Sequence, residues 1–252
     1  MIRKLLHIVL IVCLSLQSFA MVERDMICGD KPSESHRTLD FLLKDQLESQ
    51  KQYQSTLSLL KEKQKKYESD RLFLQYIYSK VHRKNLKSFK KQVTLDQTLS
   101  KAGYYNCLTG TLLYGFLLEE LGFHITIREF SYHVSLIVHL EKEDILIEST
   151  DPINGFVVGT AAINHRIEEI KAKEAQKKRC TVYDIATDID NCISLQKLAG
   201  LHFYNQAVFH LNDANVTEAK SMIRKALAFY PSKRIEEITR LIFVGDLASV
   251  DD

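Results

Sequence analysis

The chain has 252 residues, of which 45% are hydrophobic and 26% charged, and its formal net charge at pH 7 is +2. This hydrophobic content predicts a globular protein with one main core and an accessory layer, and it argues against an intrinsically disordered chain. The nearly balanced charge gives no electrostatic reason to expect a nucleic acid as partner. The chain has only three prolines, which favours helix.

The first twenty residues have the pattern of a secretory signal peptide. They begin with basic Arg3 and Lys4, continue through an apolar run and end in Ser18-Phe19-Ala20. The apolar run is shorter than the roughly 20 residues that a membrane-spanning helix needs. Cleavage after Ala20 removes two positive charges, so the mature net charge falls from +2 to 0. We therefore expect an exported protein, periplasmic or extracellular, that leaves the membrane after cleavage, with a retained N-terminal anchor as the alternative.

The region 33–95 is predicted to be helical, with helix continuing to about residue 91. Two apolar stripes recur at helical spacing, at Leu39, Leu42, Leu43 and Leu47 and at Tyr53, Leu57 and Leu60. A third helix is expected to begin at Ser69-Asp70. Its inner face is predicted to hold Leu72, Phe73, Tyr76, Ile77 and Val81.

The region 96–160 has a different pattern, which begins at Gly103. The apolar residues between Cys107 and Leu121 predict a buried helix that Gly122 ends. The spacing then changes to two, which predicts strands at His124–Phe130, His133–Leu140 and Ile145–Thr150. With the flanking helices, this predicts an α+β fold in which one helix packs on a small antiparallel sheet.

The region 161–248 is expected to be helical again. One face of its first helix carries Ile163, Ile167 and Ile170. The last third is expected to be a helical hairpin. Its small residues and closing proline follow the spacing of a tetratricopeptide unit of about 34 residues, at Ala207, Ala219, Ala226 and Pro231. One such unit cannot bury its own face, so we expect it to pack on the rest of the protein and to offer a surface for a protein partner.

Four cysteines follow the predicted cleavage site, at Cys28, Cys107, Cys180 and Cys192. In an oxidising compartment an even number ordinarily indicates disulfides. Because the surroundings of Cys107 favour a free thiol, at most one intramolecular bridge is expected. Cys180 and Cys192 are the nearest pair along the chain.

Cys107 is predicted to lie in the first turn of the apolar helix, after the turn-like Gly103-Tyr-Tyr-Asn. Free backbone amides and the helix dipole favour an anion at such a position. Helix N-termini and neighbouring imidazolium groups bring cysteine pKa values in proteins from about 8.5 to roughly 3.5–7.5. The position therefore indicates a reactive thiol, with a small buried structural cysteine as the alternative.

The expected strand register brings His133 and Asp151 together. If Leu140 pairs with Asp144 or the next residue across the hairpin loop at 141–144, His133 falls opposite Asp151 or the next residue. A carboxylate bonded to one imidazole nitrogen orients the ring, while the other nitrogen can take a thiol proton. An ordinary strand-edge histidine and a turn beginning at Asp151 are the structural alternatives. They do not explain the order of helix-start Cys, strand-start His and strand-end Asp.

Four segments carry a family resemblance: Gly103-Tyr-Tyr-Asn-Cys-Leu-Thr-Gly-Thr-Leu-Leu-Tyr, Leu121-Gly-Phe, Tyr132-His-Val and Glu148-Ser-Thr-Asp-Pro. They resemble the core of the transglutaminase-like superfamily over residues 103–152, and the flanking helices are similar to those of exported bacterial proteins of this type. The resemblance implies a papain-like fold. It also implies that Cys107 is the nucleophile, His133 the base and Asp151 the group that orients it.

The sequence departs from that family pattern in two ways. Leu108 and Val134 stand where an aromatic residue often follows the Cys and the His, and the interval from Cys107 to His133 is only 26 residues. A shorter interval leaves less chain for substrate-binding loops. An oxyanion hole also needs a second donor beside the amide of the nucleophile, and the candidates are Asn106, Tyr105 and Gln97.

Two functions are compatible with these patterns. The first is an exported thiol-dependent acyl-transfer enzyme, a peptidase, amidase or transglutaminase-type enzyme acting on a peptide or protein. The second is a catalytically inactive module of the same fold that binds a peptide or protein partner in its cleft or on its C-terminal helices. Neither function implies a cofactor.

Metal sites are not indicated. The acidic residues Asp184, Asp188 and Asp190 lack the central glycine and the terminal glutamate of a calcium loop. Cys107, His133 and His139 lack the paired spacing of zinc ligands. We expect no metal.

Overall fold

The computed structural model describes residues 32–177 and 189–244. The predicted signal peptide and the residues Cys28, Cys180, Asp184 and Asp188 lie outside them. The described part combines helices with an antiparallel sheet, which confirms the α+β class.

The helices are numbered in chain order. They are α1 (Pro32–Leu42), α2 (Leu47–Gln64), α3 (Asp70–Asn85), α4 (Leu95–Leu99), α5 (Cys107–Glu120), α6 (Thr160–Lys177), α7 (Leu195–Asn212), α8 (Val216–Phe229) and α9 (Lys233–Val244). None of the helices within the described ranges is long and apolar enough to cross a membrane.

The strands form two sheets in the described part of the chain. The smaller is a parallel pair, β1 (Ser88–Phe89) and β2 (Tyr104–Tyr105). The larger is antiparallel and has the order β6-β5-β4-β3-β7. Its strands are β3 (His124–Phe130), β4 (Val134–His139), β5 (Asp144–Ile147), β6 (Phe156–Val158) and β7 (Asp190–Ile193).

Both faces of the larger sheet are covered. Alternate residues along a strand point to opposite faces, so β3, β4, β5 and β6 supply apolar side chains to both layers. The main core, which contains α5, receives Ile127, Leu136 and Ile147. A second cluster holds Ile137 and Leu146. The predicted stripe of α6 packs there, since Ile163, Ile167 and Ile170 are all buried.

Helix α5 is capped at both ends by residues of its own sequence. Asn106 accepts a hydrogen bond from the Thr109 amide at 2.9 Å. At the other end the amides of Gly122 and Phe123 bond the carbonyls of Glu119 and Leu118, and Gly122 has φ of 85°. This is the left-handed glycine cap that the sequence predicts.

The N-terminal helices form as predicted, but Leu47 and Leu72, which were predicted to lie on buried faces, are exposed. Tyr53, Leu57 and Leu60 are buried, as expected, whereas Leu47 begins α2 and is 64% exposed. Leu72 of α3 is 56% exposed, and the buried face instead carries Leu74 and Tyr78 with Phe73, Ile77 and Val81. Residues two apart on a helix lie about 200° apart, so Leu72 and Leu74 cannot share one face. The Ser69 side chain makes no capping hydrogen bond at the start of α3.

Four strands were not predicted from the sequence, and one of them, β2, lies in the segment before Cys107 that was expected to be turn-like. Strand β1 lies where helix was expected to continue, and β6 precedes α6 where the chain was expected to enter helix directly. The fourth, β7, pairs with the outer edge of β3. Its sequence Asp-Asn-Cys-Ile lacks the β-branched alternation of a typical strand, so pairing with β3 rather than intrinsic preference forms it.

The C-terminal helices form the predicted hairpin. Ala207 on α7 and Ala219 and Ala226 on α8 have no exposed surface, because the small side chains let the two helices pack closely. The hairpin also packs on α1, since the ring of Phe41 lies 5.9 Å from that of Phe203 and 5.1 Å from that of Phe229.

A buried carboxylate joins this hairpin to the sheet. Glu129 of β3 is only 1% exposed. Its carboxylate accepts a hydrogen bond from the Tyr230 hydroxyl at 2.7 Å and faces the Arg234 guanidinium at 3.5 Å. A buried charge is tolerated when it is paired and hydrogen-bonded in this way.

Replacing Glu129 by Ala is expected to lower the free energy of unfolding by about 3–5 kcal/mol, because it leaves Arg234 with an uncompensated, mostly buried charge. Urea unfolding followed by circular dichroism measures the change. Glu236→Ala is the matched control, since Glu236 is exposed on α9 and should shift stability by no more than about 0.5 kcal/mol. Equal effects of the two substitutions would contradict this role of Glu129.

Candidate active site

Cys107 begins α5 and has a half-buried side chain with a free thiol. The sequence places it there because Asn106 caps the helix one residue earlier. The capping bonds use the amides of Thr109 and Gly110. The Cys107 and Leu108 amides take part in none of the bonds seen among the described residues, so two first-turn donors stay available beside the sulfur.

His133 directly follows the two-residue turn Ser131-Tyr132 between β3 and β4. The Phe130 amide donates to the His133 carbonyl at 2.8 Å and closes this turn. Glu174 of α6 holds the turn from outside, because its carboxylate accepts from the amides of Ser131 at 3.1 Å and Tyr132 at 2.6 Å. These contacts fix the backbone that carries the imidazole.

The His133 ring has a carboxylate and a thiol as neighbours. Its Nε2 lies 2.5 Å from Oε2 of Glu148, and the side chain of Cys107 is near enough to raise the pKa of the ring as a hydrogen-bonding neighbour. Because Nε2 is engaged by Glu148, Nδ1 is the ring atom left for the sulfur. The side chains of His133 and Glu148 are 19% and 6% exposed, so little water competes for this pair.

Glu148 itself is immobilised through both carboxylate oxygens. Oε2 bonds His133, while Oε1 accepts from the hydroxyl of Thr150 at 2.8 Å and from its amide at 3.3 Å. Glu148 follows the last residue of β5, so its backbone is anchored by the sheet. The carboxylate therefore acts as a fixed partner for the imidazole.

The charges of the pair stabilise each other. Burial lowers the pKa of His133, but the hydrogen bond with Cys107 and then the bond and charge of Glu148 outweigh it and raise that pKa to about 10. Burial raises the pKa of Glu148, and the bond and charge of His133 outweigh it and leave that pKa below its ordinary value. At neutral pH the site therefore holds an imidazolium between a carboxylate and the sulfur.

Asp151, predicted to orient His133, has another partner. Its carboxylate bonds the guanidinium of Arg166 on α6 at 2.5 Å and accepts from the Asn154 amide at 2.9 Å. Its carbonyl accepts from the Tyr78 hydroxyl. Asp151 thus fixes the loop at 151–155, and Glu148 takes the place expected for it.

The difference arises from a one-residue change in strand register. Leu136 pairs with Ile147, and Leu140 closes the hairpin with Glu143 around a turn at 141–142 that is shorter than predicted. If this register is continued past the hydrogen-bonded pairs of β4 and β5, residue 150 lies opposite His133. Residue 148 then lies diagonally from His133 on the same face of the sheet. A slip of one residue moves Asp151 to the other face.

The three oxyanion candidates are otherwise engaged or displaced. Asn106 uses its side-chain oxygen to cap α5, and its side-chain nitrogen Nδ2 donates to the Lys91 carbonyl at 3.1 Å. Gln97 accepts from the Thr94 amide at the start of α4. Tyr105 is 7% exposed and packs in the main core. The free first-turn amides of α5 are therefore better placed donors for a developing oxyanion.

A second layer of polar groups supports the loop that carries Glu148. Nε2 of His82 donates to the Ser149 carbonyl at 3.0 Å, while its Nδ1 lies 2.7 Å from the Tyr114 hydroxyl. Burial lowers the pKa of His82, which favours a neutral ring that accepts through Nδ1. A Cβ on Gly110 would lie 2.7 Å from the Ser149 hydroxyl oxygen, so only glycine lets α5 approach the loop this closely.

No group of three His, Cys, Asp or Glu side chains that could hold a metal occurs in the described ranges. His139 bonds Asp144 at 2.9 Å and Thr126 at 2.8 Å, at the end of β4 away from His133. Asp190 pairs with Arg128 and Lys171. A cavity of about 240 Å³ lies at the far end of α5, lined by α1, Tyr53, Phe116, Glu119 and Glu120.

Comparison of the chain with protein-family models, with curated proteins and with solved structures finds no match in any of the three. The chemistry of the site therefore has to be judged from its own geometry. Among the predicted triad residues, the structure brings Cys107 and His133 together and leaves Asp151 on Arg166. The missed residue, Glu148, could have been found from a hairpin in which Leu140 pairs with Glu143 instead of Asp144.

The His133–Glu148 pair predicts a pH-dependent stability. Replacing Glu148 by Gln should lower the free energy of unfolding by about 3–5 kcal/mol, since it leaves a buried imidazolium without its carboxylate. Because the pKa of His133 is raised, its contribution to the free energy of unfolding is fully present below pH 6.5 and is lost as the pH rises towards about 10. Because the pKa of Glu148 is lowered, its contribution to the free energy of unfolding is fully present above pH 4.5 and is lost as the pH falls further.

The stability difference between wild type and Glu148→Gln should therefore be greatest between pH 4.5 and 6.5. Urea unfolding across pH measures it. Asp144→Asn is the matched control, because it breaks a carboxylate–histidine pair of the same hairpin whose side chains are 40% and 33% exposed. That control should lose no more than about 1 kcal/mol. A pH-independent difference for Glu148→Gln would contradict the ion pair.

Proposed function

We propose that the protein is a thiol-dependent acyl-transfer enzyme with Cys107 as nucleophile, His133 as proton carrier and Glu148 as the residue that positions His133. The observation that carries this proposal is one imidazole that bonds a buried carboxylate and has a helix-start thiol as its other polar neighbour. A thiol, a base and an orienting group in contact are the arrangement that nucleophilic catalysis requires.

The reaction that fits this arrangement begins with an anionic sulfur beside the imidazolium. The sulfur attacks an amide carbonyl, and the resulting oxyanion meets the amides of Cys107 and Leu108. The C–N bond breaks as the His133 proton passes to the leaving amine, which leaves a thioester on Cys107. Water or an amine then attacks the thioester and gives a proton to His133, and the sulfur leaves as the anion that began the cycle.

The raised pKa of His133 bears on how readily it gives up its proton. A general acid is most effective when its pKa is near the working pH, and a value of about 10 is higher than that. Cys107 is one cause of the raised value. When the sulfur forms a bond to the carbonyl carbon, this contribution disappears and the pKa of His133 falls. His133 therefore releases its proton after the sulfur has bonded the carbonyl carbon, in the step in which the amine leaves.

We also propose a fold family, a cellular location and a class of substrate. The helix-start Cys packed against a sheet that supplies His and an acid supports a papain-like, transglutaminase-type core. The basic, apolar and small-residue pattern of residues 1–20 supports export to the periplasm or the cell exterior. The substrate in this proposal is a peptide or protein, whose amide carbonyl Cys107 attacks.

Acetylation by p-nitrophenyl acetate tests the proposed chemistry, with intact-protein and peptide mass spectrometry as the measurement. Wild type should gain an acetyl group on Cys107 as a thioester. Cys107→Ser has no thiol at this position and should form no thioester. The rate should fall by about 10²-fold or more in His133→Ala and in Glu148→Gln, because both lose the oriented base. Asp151→Asn, whose carboxylate bonds Arg166, should lose less than about tenfold.

Two outcomes would overturn parts of this assignment. An equal loss in Asp151→Asn and Glu148→Gln would give Asp151 a share in orienting the base. A wild-type thiol that is not acetylated, or that reacts with iodoacetamide at pH 6 no faster than a cysteine peptide, would remove the activated nucleophile. His133→Ala separates an activated thiol from a merely exposed one, because only activation depends on the imidazole.

A second candidate function keeps the fold without the chemistry. The tightly held proton on His133 favours it, since a pKa of about 10 also suits a purely structural ion pair. In that case the protein binds a peptide or protein partner in its cleft or on its C-terminal helices. Retention of the biological phenotype in Cys107→Ala, with loss on charge reversal along α8 and α9, identifies the binding module.

A further inference from the structure

Positive charge is concentrated in one short part of the chain. Residues 80–101 contain seven Lys and Arg and one Asp, a net charge of +6. The whole chain carries +2, so the remaining residues together carry −4. The near-neutral total therefore conceals a strong separation of charge.

The fold sets this segment directly beside the candidate nucleophile. The Lys87 amide donates to the Gly103 carbonyl at 2.9 Å, and the Lys90 amide donates to the Tyr105 carbonyl at 2.8 Å. The Asn106 side chain donates to the Lys91 carbonyl at 3.1 Å. Strand β1 thus runs beside the segment that leads into Cys107, and the backbone of Lys90 and Lys91 lies against the residues just before the nucleophile.

We name this region the basic surface and define it by Arg83, Lys84, Lys87, Lys90, Lys91 and Lys101. All are exposed except Lys84, which is half-buried. Within the described residues, none of the six forms an ion pair with a carboxylate, in contrast to Lys171, which pairs with Asp190 and Glu168. Burial and the nearby charge of Lys80 lower the pKa of Lys84, as crowding of like charges does.

We infer that the basic surface binds an acidic stretch of the polypeptide substrate, so that the carbonyl attacked by Cys107 lies next to a run of Asp or Glu. This inference rests on the proposed acyl-transfer function and names its substrate class. Unpaired lysines beside a reactive site raise the local concentration of an anionic partner and select it against neutral ones.

A short acidic peptide fits this surface better than a long polyanion. The cationic area is confined to one segment, while the rest of the chain is net negative and repels an extended polymer such as a nucleic acid. Apolar side chains lie among the lysines, since Phe89 is 55% and Tyr104 is 38% exposed. They can pack on the side chains of a peptide that approaches Cys107.

Binding of a fluorescein-labelled decaglutamate peptide, followed by fluorescence anisotropy, tests the inference. The full chain with Cys107→Ala is used, so that no covalent step contributes. Lys90→Gln/Lys91→Gln in this background should weaken binding by about tenfold or more, since two unit charges near the ligand are removed. Binding should also weaken steeply as salt rises.

Lys51→Gln/Lys65→Gln is the matched control. Both lysines are exposed on or next to α2, and the pair removes the same total charge away from Cys107. The control should change the affinity by less than about twofold. The inference is overturned by an equal loss in the control, by no binding of decaglutamate, or by tighter binding of a DNA duplex or of vesicles containing phosphatidylglycerol.

The failure of this inference can be told apart from failure of the proposed function. Acetylation of Cys107 by p-nitrophenyl acetate uses a neutral, small reagent that does not need the basic surface. Acetylation without decaglutamate binding retains the enzyme and overturns its acidic specificity. Decaglutamate binding without acetylation overturns the enzyme, and with it the acidic peptide as a substrate.

Discussion

The ion pair between His133 and Glu148 is the interaction on which the arrangement of this site depends. Removing two charged groups from water costs several kcal/mol per ion, so such a pair persists only where further bonds compensate. Here Thr150 bonds the free carboxylate oxygen, and Cys107 bonds the other side of the imidazole. The pair therefore requires the start of β4, the end of β5 and the start of α5 to meet.

Two polar anchors outside the pair hold those chain ends in place. Glu174 binds the turn that leads into His133, and His82 binds the carbonyl that follows Glu148. Each anchor comes from a helix on the outside of the central layer, α6 in one case and α3 in the other. The flanking helices thus do more than cover apolar surface, because they set the two backbones whose side chains must be aligned within a few tenths of an ångström.

Much of the fold could be predicted because local signals and burial agree. The start of α5 follows from the turn-like segment before Cys107, its end from Gly122, and β3 from the spacing of Ile125 and Ile127. Strand β7 and the identity of the acid could not be predicted in this way. Both depend on pairing between strands, and a register one residue away from the expected one changes which side chain faces His133. Periodicity reveals which residues are buried but leaves the register open.

The charges around Cys107 act over two different ranges, which separates their roles. The imidazolium of His133 touches the sulfur in a mostly buried site, where salt screens it little. The lysines of the basic surface are exposed to solvent, so at physiological ionic strength their influence falls off within about 8 Å. The group next to the thiol is thus set by the buried pair, while the lysines act on a substrate as it arrives. Raising the salt concentration removes the second effect and leaves the first.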